Sequence, residues 1–122
     1  MQLTPEQHGN IVILTPAERL DHAHADAFAQ AMTPWLAKCA EHELALVLDF
    51  SKMPYISSIG LRVLMLAAKD VKSRRGQLVL AGLQPLVAEV FQISGFHFYF
   101  KIFHGRRDAI AMLATRHAEA AA

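Results

Sequence analysis

Two adjacent hydroxyls, Ser57 and Ser58, stand where the apolar run Leu44-Ala45-Leu46-Val47-Leu48, closed by Asp49, gives way to a long run of helix formers ending near Lys72. A helix N-terminus presents unpaired backbone N–H groups and a partial positive charge. Serine caps such an end well, and phosphoserine is well tolerated there. The chemistry this pattern offers is acceptance of a phosphoryl group. The plainer reading, a cap and a loop hydroxyl with no regulatory use, stands beside it on local grounds.

Other chemistries fit the residues less well. A serine at a strand-to-helix turn suggests a hydrolase nucleophile elbow, but that motif is Gly-x-Ser-x-Gly, and Ser58 has Ile56 two places before it and Gly60 two after. A triad would need a later histidine from among His97, His104 and His117, of which His104 is the best placed. The cluster Asp21-His22-Ala23-His24-Ala25-Asp26 holds possible metal ligands. On a helix, however, residues two apart diverge, so His22 and His24 do not share an ion, and a solvated face is expected with no metal site. Neither Gly-x-x-x-x-Gly-Lys-Ser/Thr nor Gly-x-Gly-x-x-Gly occurs, so no nucleotide motif is present.

The elements that must position the serines follow from periodicity. Gly9-Asn10 is a turn signal, Ile11 to Thr15 reads as a strand, and Leu3 to Gln7 as a short edge strand beside it. Pro16 stops that run. From Asp21 or His22 to Cys39 the apolar residues recur at helical spacing, with Asp21 as cap and Pro34 predicting a bend or two short pieces. A central strand spans Leu44 to Phe50, and a helix runs from about Ser58 to Arg74, stopped by Gly76 as the left-handed residue. Gln77 to Ala81 is the next strand. A short helix follows through about Ser94 with Pro85 in its first turn. Phe98 to Phe103 reads as an aromatic strand, and Asp108 to about Arg116 as a last helix.

Strands separated by helical stretches imply crossovers. The expected architecture is one α/β domain over residues 1–122, its core between about 10 and 116, with a mixed, mostly parallel sheet of four to five strands and about four helices. At 122 residues such a domain can bury a core without metals or disulfides. With 53% hydrophobic and 19% charged residues the chain is too apolar for disorder, yet it holds no uninterrupted run of about 18 apolar residues to cross a bilayer. The opening residues lack a secretory signal, and the single cysteine, Cys39, suits a cytoplasmic location. A net charge of +1 argues against direct nucleic-acid binding.

On the long helix, Leu61, Leu64, Ala68 and Val71 should face the sheet, leaving Arg62, Met65, Lys69 and Lys72 on another face. A face mixing methionine with basic residues suits a protein partner as well as it suits plain solvation.

Three segments, taken in order, resemble the STAS domain shared by bacterial anti-sigma factor antagonists and the cytoplasmic tails of sulfate transporters. They are Glu18-Arg19-Leu20-Asp21, then Val47 to Ser51 leading to Ser57-Ser58-Ile59-Gly60-Leu61, then Gly76 to Leu80 with Pro85 to Phe91 and Ser94-Gly95-Phe96. The resemblance spans about Ile11 to Leu113 and implies a STAS-like fold with no enzymatic activity and no cofactor. It further implies an anti-sigma factor antagonist that binds an anti-sigma factor, frequently a serine kinase, and is inactivated by phosphorylation and restored by a serine phosphatase. Aligned on Gly60-Leu61, the acceptor falls on Ser58. Ser57 holds the place where the family usually has aspartate and is the second candidate. Ser57, Ser58, Ile59, Arg62, Met65 and Lys69, with Asp21, are the implied partner surface. The alternative from the same resemblance is a STAS subunit docking on the ATPase of a lipid-transport permease.

Overall fold

A computed structural model describes the backbone of residues 1–121 and the side chains through Thr115. Five strands, β1 (Glu6–His8), β2 (Ile11–Leu14), β3 (Ala45–Asp49), β4 (Gln77–Ala81) and β5 (Ile102–Phe103), lie side by side in chain order. β1 is antiparallel to β2 across a tight turn in which Gly9 takes φ 62°, and the remaining pairs are parallel. Helices α1 (Ala25–Ala37), α2 (Ser58–Ser73) and α3 (Pro85–Ser94) are the crossovers, and α4 (Arg106–Ala121) follows β5. The expected mixed sheet with four helices is therefore what the chain forms.

Because each parallel strand is added on the same side of the last, right-handed crossovers put α1, α2 and α3 on one face of the sheet. α4 covers the other. The strands show this by alternation: Val12, Leu14, Leu46, Leu48 and Leu80 join Phe28, Met32, Leu64 and Phe91 in the larger core, whereas Ile11, Ile13, Val47, Val79 and Ala81 pack with Ala109 and Leu113 of α4. Both faces being covered explains why β3 is apolar without interruption.

Several local expectations give way to packing. α1 begins at Ala25, and its cap residue His24 makes no side-chain cap bond. Asp21 instead closes the preceding turn, its carboxylate accepting from the Ala23 N–H at 3.1 Å. α1 runs through Pro34 as one helix, not two pieces, because the carbonyl deprived of a donor belongs to Gln30, and both residues are exposed. On α2, Ala67 is buried as well as Leu61, Leu64 and Val71, and Ala68 is half-buried against the same core.

α2 ends differently from the sequence reading. Arg75, not Gly76, takes the left-handed conformation at φ 58°. The Gly76 N–H then reaches back to the Val71 carbonyl at 2.9 Å, which closes a Schellman-type end. Glycine is needed at 76 for clearance, since a Cβ there would lie 2.7 Å from the Cys39 carbonyl oxygen.

The aromatic strand expected from Phe98 to Phe103 shrinks to two residues. Gly95, at φ 76°, ends α3, and Phe96–Phe98 wind into a 3₁₀ turn. Phe100 then sends its ring into the core, edge-on to Phe91 with centroids 5.9 Å apart. Burying that ring outweighs the β-propensity of the segment. α4, for its part, starts at Arg106 and its backbone stays helical beyond the expected end near Arg116.

Candidate functional site

The two serines have different surroundings. Ser57, extended at φ −97° and ψ 173°, is the N-cap of α2: its Oγ accepts the Gly60 N–H at 3.3 Å and donates to the Leu20 carbonyl at 3.4 Å. Its own N–H donates to the same carbonyl at 3.0 Å, and the Leu20 N–H donates to the Tyr55 carbonyl at 2.9 Å. Leu20 and Ile56 thus form a one-residue parallel bridge. Ser58 is the first helical residue and is exposed, and among the described residues its hydroxyl has no hydrogen-bond partner.

Close contact between the Leu20 segment and α2 depends on Gly60. A Cβ at Gly60 would collide with the Leu20 carbonyl oxygen and lie 2.9 Å from the Leu20 Cγ and 3.0 Å from the Ile56 Cγ1. The glycine serves clearance, its backbone being ordinary helix. Through this contact the Glu18–Asp21 stretch, far away in sequence, borders the serine turn.

Asp21 is therefore next to the site, partly buried. Its Oδ1 pairs with His24 Nδ1 at 2.7 Å, and its Oδ2 lies 3.4 Å from Arg19 Nε. The His24 hydrogen bond, helped by the charges of His24 and Arg19, holds the Asp21 carboxyl below its ordinary value. Arg19 lies over the Tyr55 ring at 5.3 Å. Further along α2, Ile59, Arg62 and Lys69 are exposed and Met65 is half-buried, so these side chains share an accessible surface that starts at the serines. No acidic residue occupies the first turn of α2, which leaves the positive end of its dipole unneutralised.

Two features escaped the sequence reading. Ile59, Val63 and Leu66 form a second apolar stripe on α2 at i, i+4, i+7. Leu66 is 56% exposed and, with Ala29, Met32, Thr33, Leu36 and Val63, lines a groove of about 230 Å³ between α1 and α2. The i, i+4, i+7 spacing of these three residues in the chain is the signal for it. The second feature is Asp49, buried at the end of β3. Its Oδ2 receives Arg106 Nε at 2.8 Å, while the same guanidinium donates to Thr15 Oγ1 at 2.9 Å and to Glu6 Oε2 at 3.0 Å. A carboxylate closing a fully buried strand was the signal that a cation would be needed.

Neither serine bonds a histidine among the described residues; the Ser57 hydroxyl is used by backbone groups. His24 is held by Asp21 and lies 3.4 Å from Glu18, and among the described residues no group of three or more His, Cys, Asp or Glu side chains could hold a metal. No described helix is long and apolar enough to cross a membrane.

The described residues thus assemble a two-sided α/β sheet with an accessible hydroxyl at a capped helix start. The chain belongs to the STAS domain family, whose profile matches residues 2–109. It is 36% identical over 115 residues to BtrV of Bordetella bronchiseptica, provisionally named an anti-sigma factor antagonist, covering 94% of this chain and 97% of that one. Its fold is shared with an anti-sigma-factor antagonist (STAS) domain protein from Planctomyces limnophilus, with a TM-score of 0.82, 16% identity, and 93% and 99% of the two chains covered. It is shared also with the phosphorylated form of the Bacillus cell fate determinant SpoIIAA, with a TM-score of 0.65, 16% identity, and 90% and 97% covered.

Proposed function

We propose that this chain is a cytoplasmic anti-sigma factor antagonist. It binds an anti-sigma factor that is also a serine kinase, through Ser57, Ser58, Ile59, Arg62, Met65 and Lys69 with Asp21 at the border. Ser58 is the residue whose phosphorylation ends that binding, and a serine phosphatase restores it. The observation that carries this reading is the contrast between the serines: the Ser57 oxygen is engaged in the cap, and the Ser58 hydroxyl is exposed. The name carried by BtrV, at 36% identity over nearly the full length of both chains, supports the antagonist role.

Transfer of the ATP γ-phosphoryl group to Ser58 Oγ, with loss of the hydroxyl proton, adds about −1.5 to −2 charges. The unneutralised N-terminus of α2 accommodates that charge, so the fold survives. A partner packed on this end meets a dianion it must desolvate. Like-charge repulsion or unpaired burial then costs several kcal/mol. Modification of Ser57 is disfavoured because its hydroxyl proton is donated to the Leu20 carbonyl, a bond the phosphoester oxygen cannot make.

The test is incubation with ATP and the serine kinases of the host, followed by intact mass and site mapping on the wild type and on Ser57→Ala and Ser58→Ala. A single added phosphate that persists in Ser57→Ala and vanishes in Ser58→Ala is expected. No phosphate with any kinase, together with co-purification of a transport ATPase, would favour the permease-subunit reading instead.

A further inference from the structure

β4 is paired along its whole length with β3 but meets β5 only at Leu80 and Ala81. On that second side the Leu80 N–H donates to the Lys101 carbonyl at 2.9 Å. Peptide groups of a strand alternate in direction, so Leu78, two residues earlier, turns its N–H and C=O to the same side. In register, the place opposite Leu78 belongs to Phe100, which leaves the sheet edge to bury its ring against Phe91. The edge beside Leu78 is therefore open.

This edge adjoins a groove of about 440 Å³ with an apolar side formed by Ala68 and Val71 of α2 and an aromatic side formed by Phe98 and Tyr99. Phe98 is 87% exposed, its ring lying against that of His97 with centroids 3.9 Å apart. Lys72 and Lys101 also line the groove, and among the described residues no Asp or Glu does. Among the described residues neither lysine has a carboxylate within ion-pair distance.

We propose that this edge binds an extended peptide segment in which acidic residues alternate with apolar ones, adding a strand beside Leu78. An open strand edge selects an extended chain through main-chain hydrogen bonds, and flanking pockets select alternate side chains. Here the apolar walls take one set and the two lysines take carboxylates of the other. A second copy of this chain fits less well, since a two-fold contact would bring like lysines together. The site is separate from Ser58 and stands or falls independently of the phosphorylation reading.

The test is fluorescence anisotropy of the full chain with a fluorescein-labelled octapeptide alternating glutamate with valine or phenylalanine, together with amide chemical-shift mapping. Saturable binding is expected, with shifts at Leu78 and at Phe98 to Lys101. The double variant Lys72→Glu, Lys101→Glu should bind about ten-fold more weakly. The same peptide N-methylated at alternate residues should lose about five-fold in at least one of its two registers, a comparison that leaves the protein untouched. Ser58→Asp should bind it as the wild type does. The proposal is overturned by absent saturation, by equal binding of the lysine-for-glutamate peptide, by shifts confined to the α1–α2 groove, by indifference to N-methylation, or by dimerisation that the peptide does not displace.

Discussion

The Leu20 carbonyl oxygen receives both the N–H of Ser57, at 3.0 Å, and its hydroxyl, at 3.4 Å. That oxygen fastens the segment before α1 to the start of α2 and occupies one of two adjacent serines, leaving the other available at the surface.

Ser57→Ala should lower stability by about 1 kcal/mol through loss of the N-cap, a fall of roughly 3–6 °C in a domain of this size. Ser58→Ala should stay within about 0.5 kcal/mol of wild type. Thermal melts of the two variants side by side check the contrast, and equal losses would contradict the division of roles between the hydroxyls.

Gly60→Ala should be costlier than a usual glycine-to-alanine change on a helix, because the added methyl meets the Leu20 carbonyl and the Leu20 and Ile56 side chains. A loss of about 2–3 kcal/mol is expected where helix propensity alone would give a gain of up to about 1. Urea unfolding decides the sign.

Arg75→Gly should stabilise the protein by about 0.5–1 kcal/mol, since an arginine now holds the left-handed position at φ 58°. Gly76→Ala should do the opposite by pressing on the Cys39 carbonyl. Denaturant midpoints for the pair distinguish a conformational need at 75 from a need for space at 76.

Burial alone would raise the Asp49 carboxyl, but hydrogen bonds from Ser51 and Arg106 and the Arg106 charge bring it below its ordinary value. A carboxyl lowered on folding binds its proton more tightly when unfolded, so its contribution is complete above the unfolded value near 4 and fades as pH falls through the folded value. Asp49→Asn should flatten the loss of stability between about pH 5 and about pH 2 without abolishing it, because the Glu6 and Asp21 carboxyls are lowered too. Arg106→Met at neutral pH should cost about 2 kcal/mol, less than a fully buried pair because the guanidinium is 34% exposed. Urea midpoints across that pH range test both statements.

Ser58→Asp should leave the melting curve close to that of wild type while weakening binding of the cognate anti-sigma factor by at least about 100-fold, as burial of an unpaired charge requires. Calorimetry measures it, and unchanged affinity would count against charge at this site as the switch.

Much of this molecule was legible in the chain because its punctuation is local. β4 and α3 have the bounds that the apolar run after Gly76, Pro85 and Gly95 indicate, and the serine pair after the buried run of β3 marks the start of α2 without any knowledge of the rest. The reading failed where a distant contact competed with local preference. Asp21 resembles a cap but closes the turn ahead of one, and the aromatic segment has strand composition but yields Phe100 to the core.

Sequence alone determined the order of strands and helices, the mixed, mostly parallel sheet and the place of the two hydroxyls, since hydrophobic period and turn residues act between near neighbours. Tertiary structure decided which serine is engaged, which residue ends α2, and which sheet edge stays open. Those outcomes depend on Leu20, Cys39 and Phe91, brought by folding against residues far along the chain or drawn into the core, where steric fit and burial outweigh intrinsic propensity.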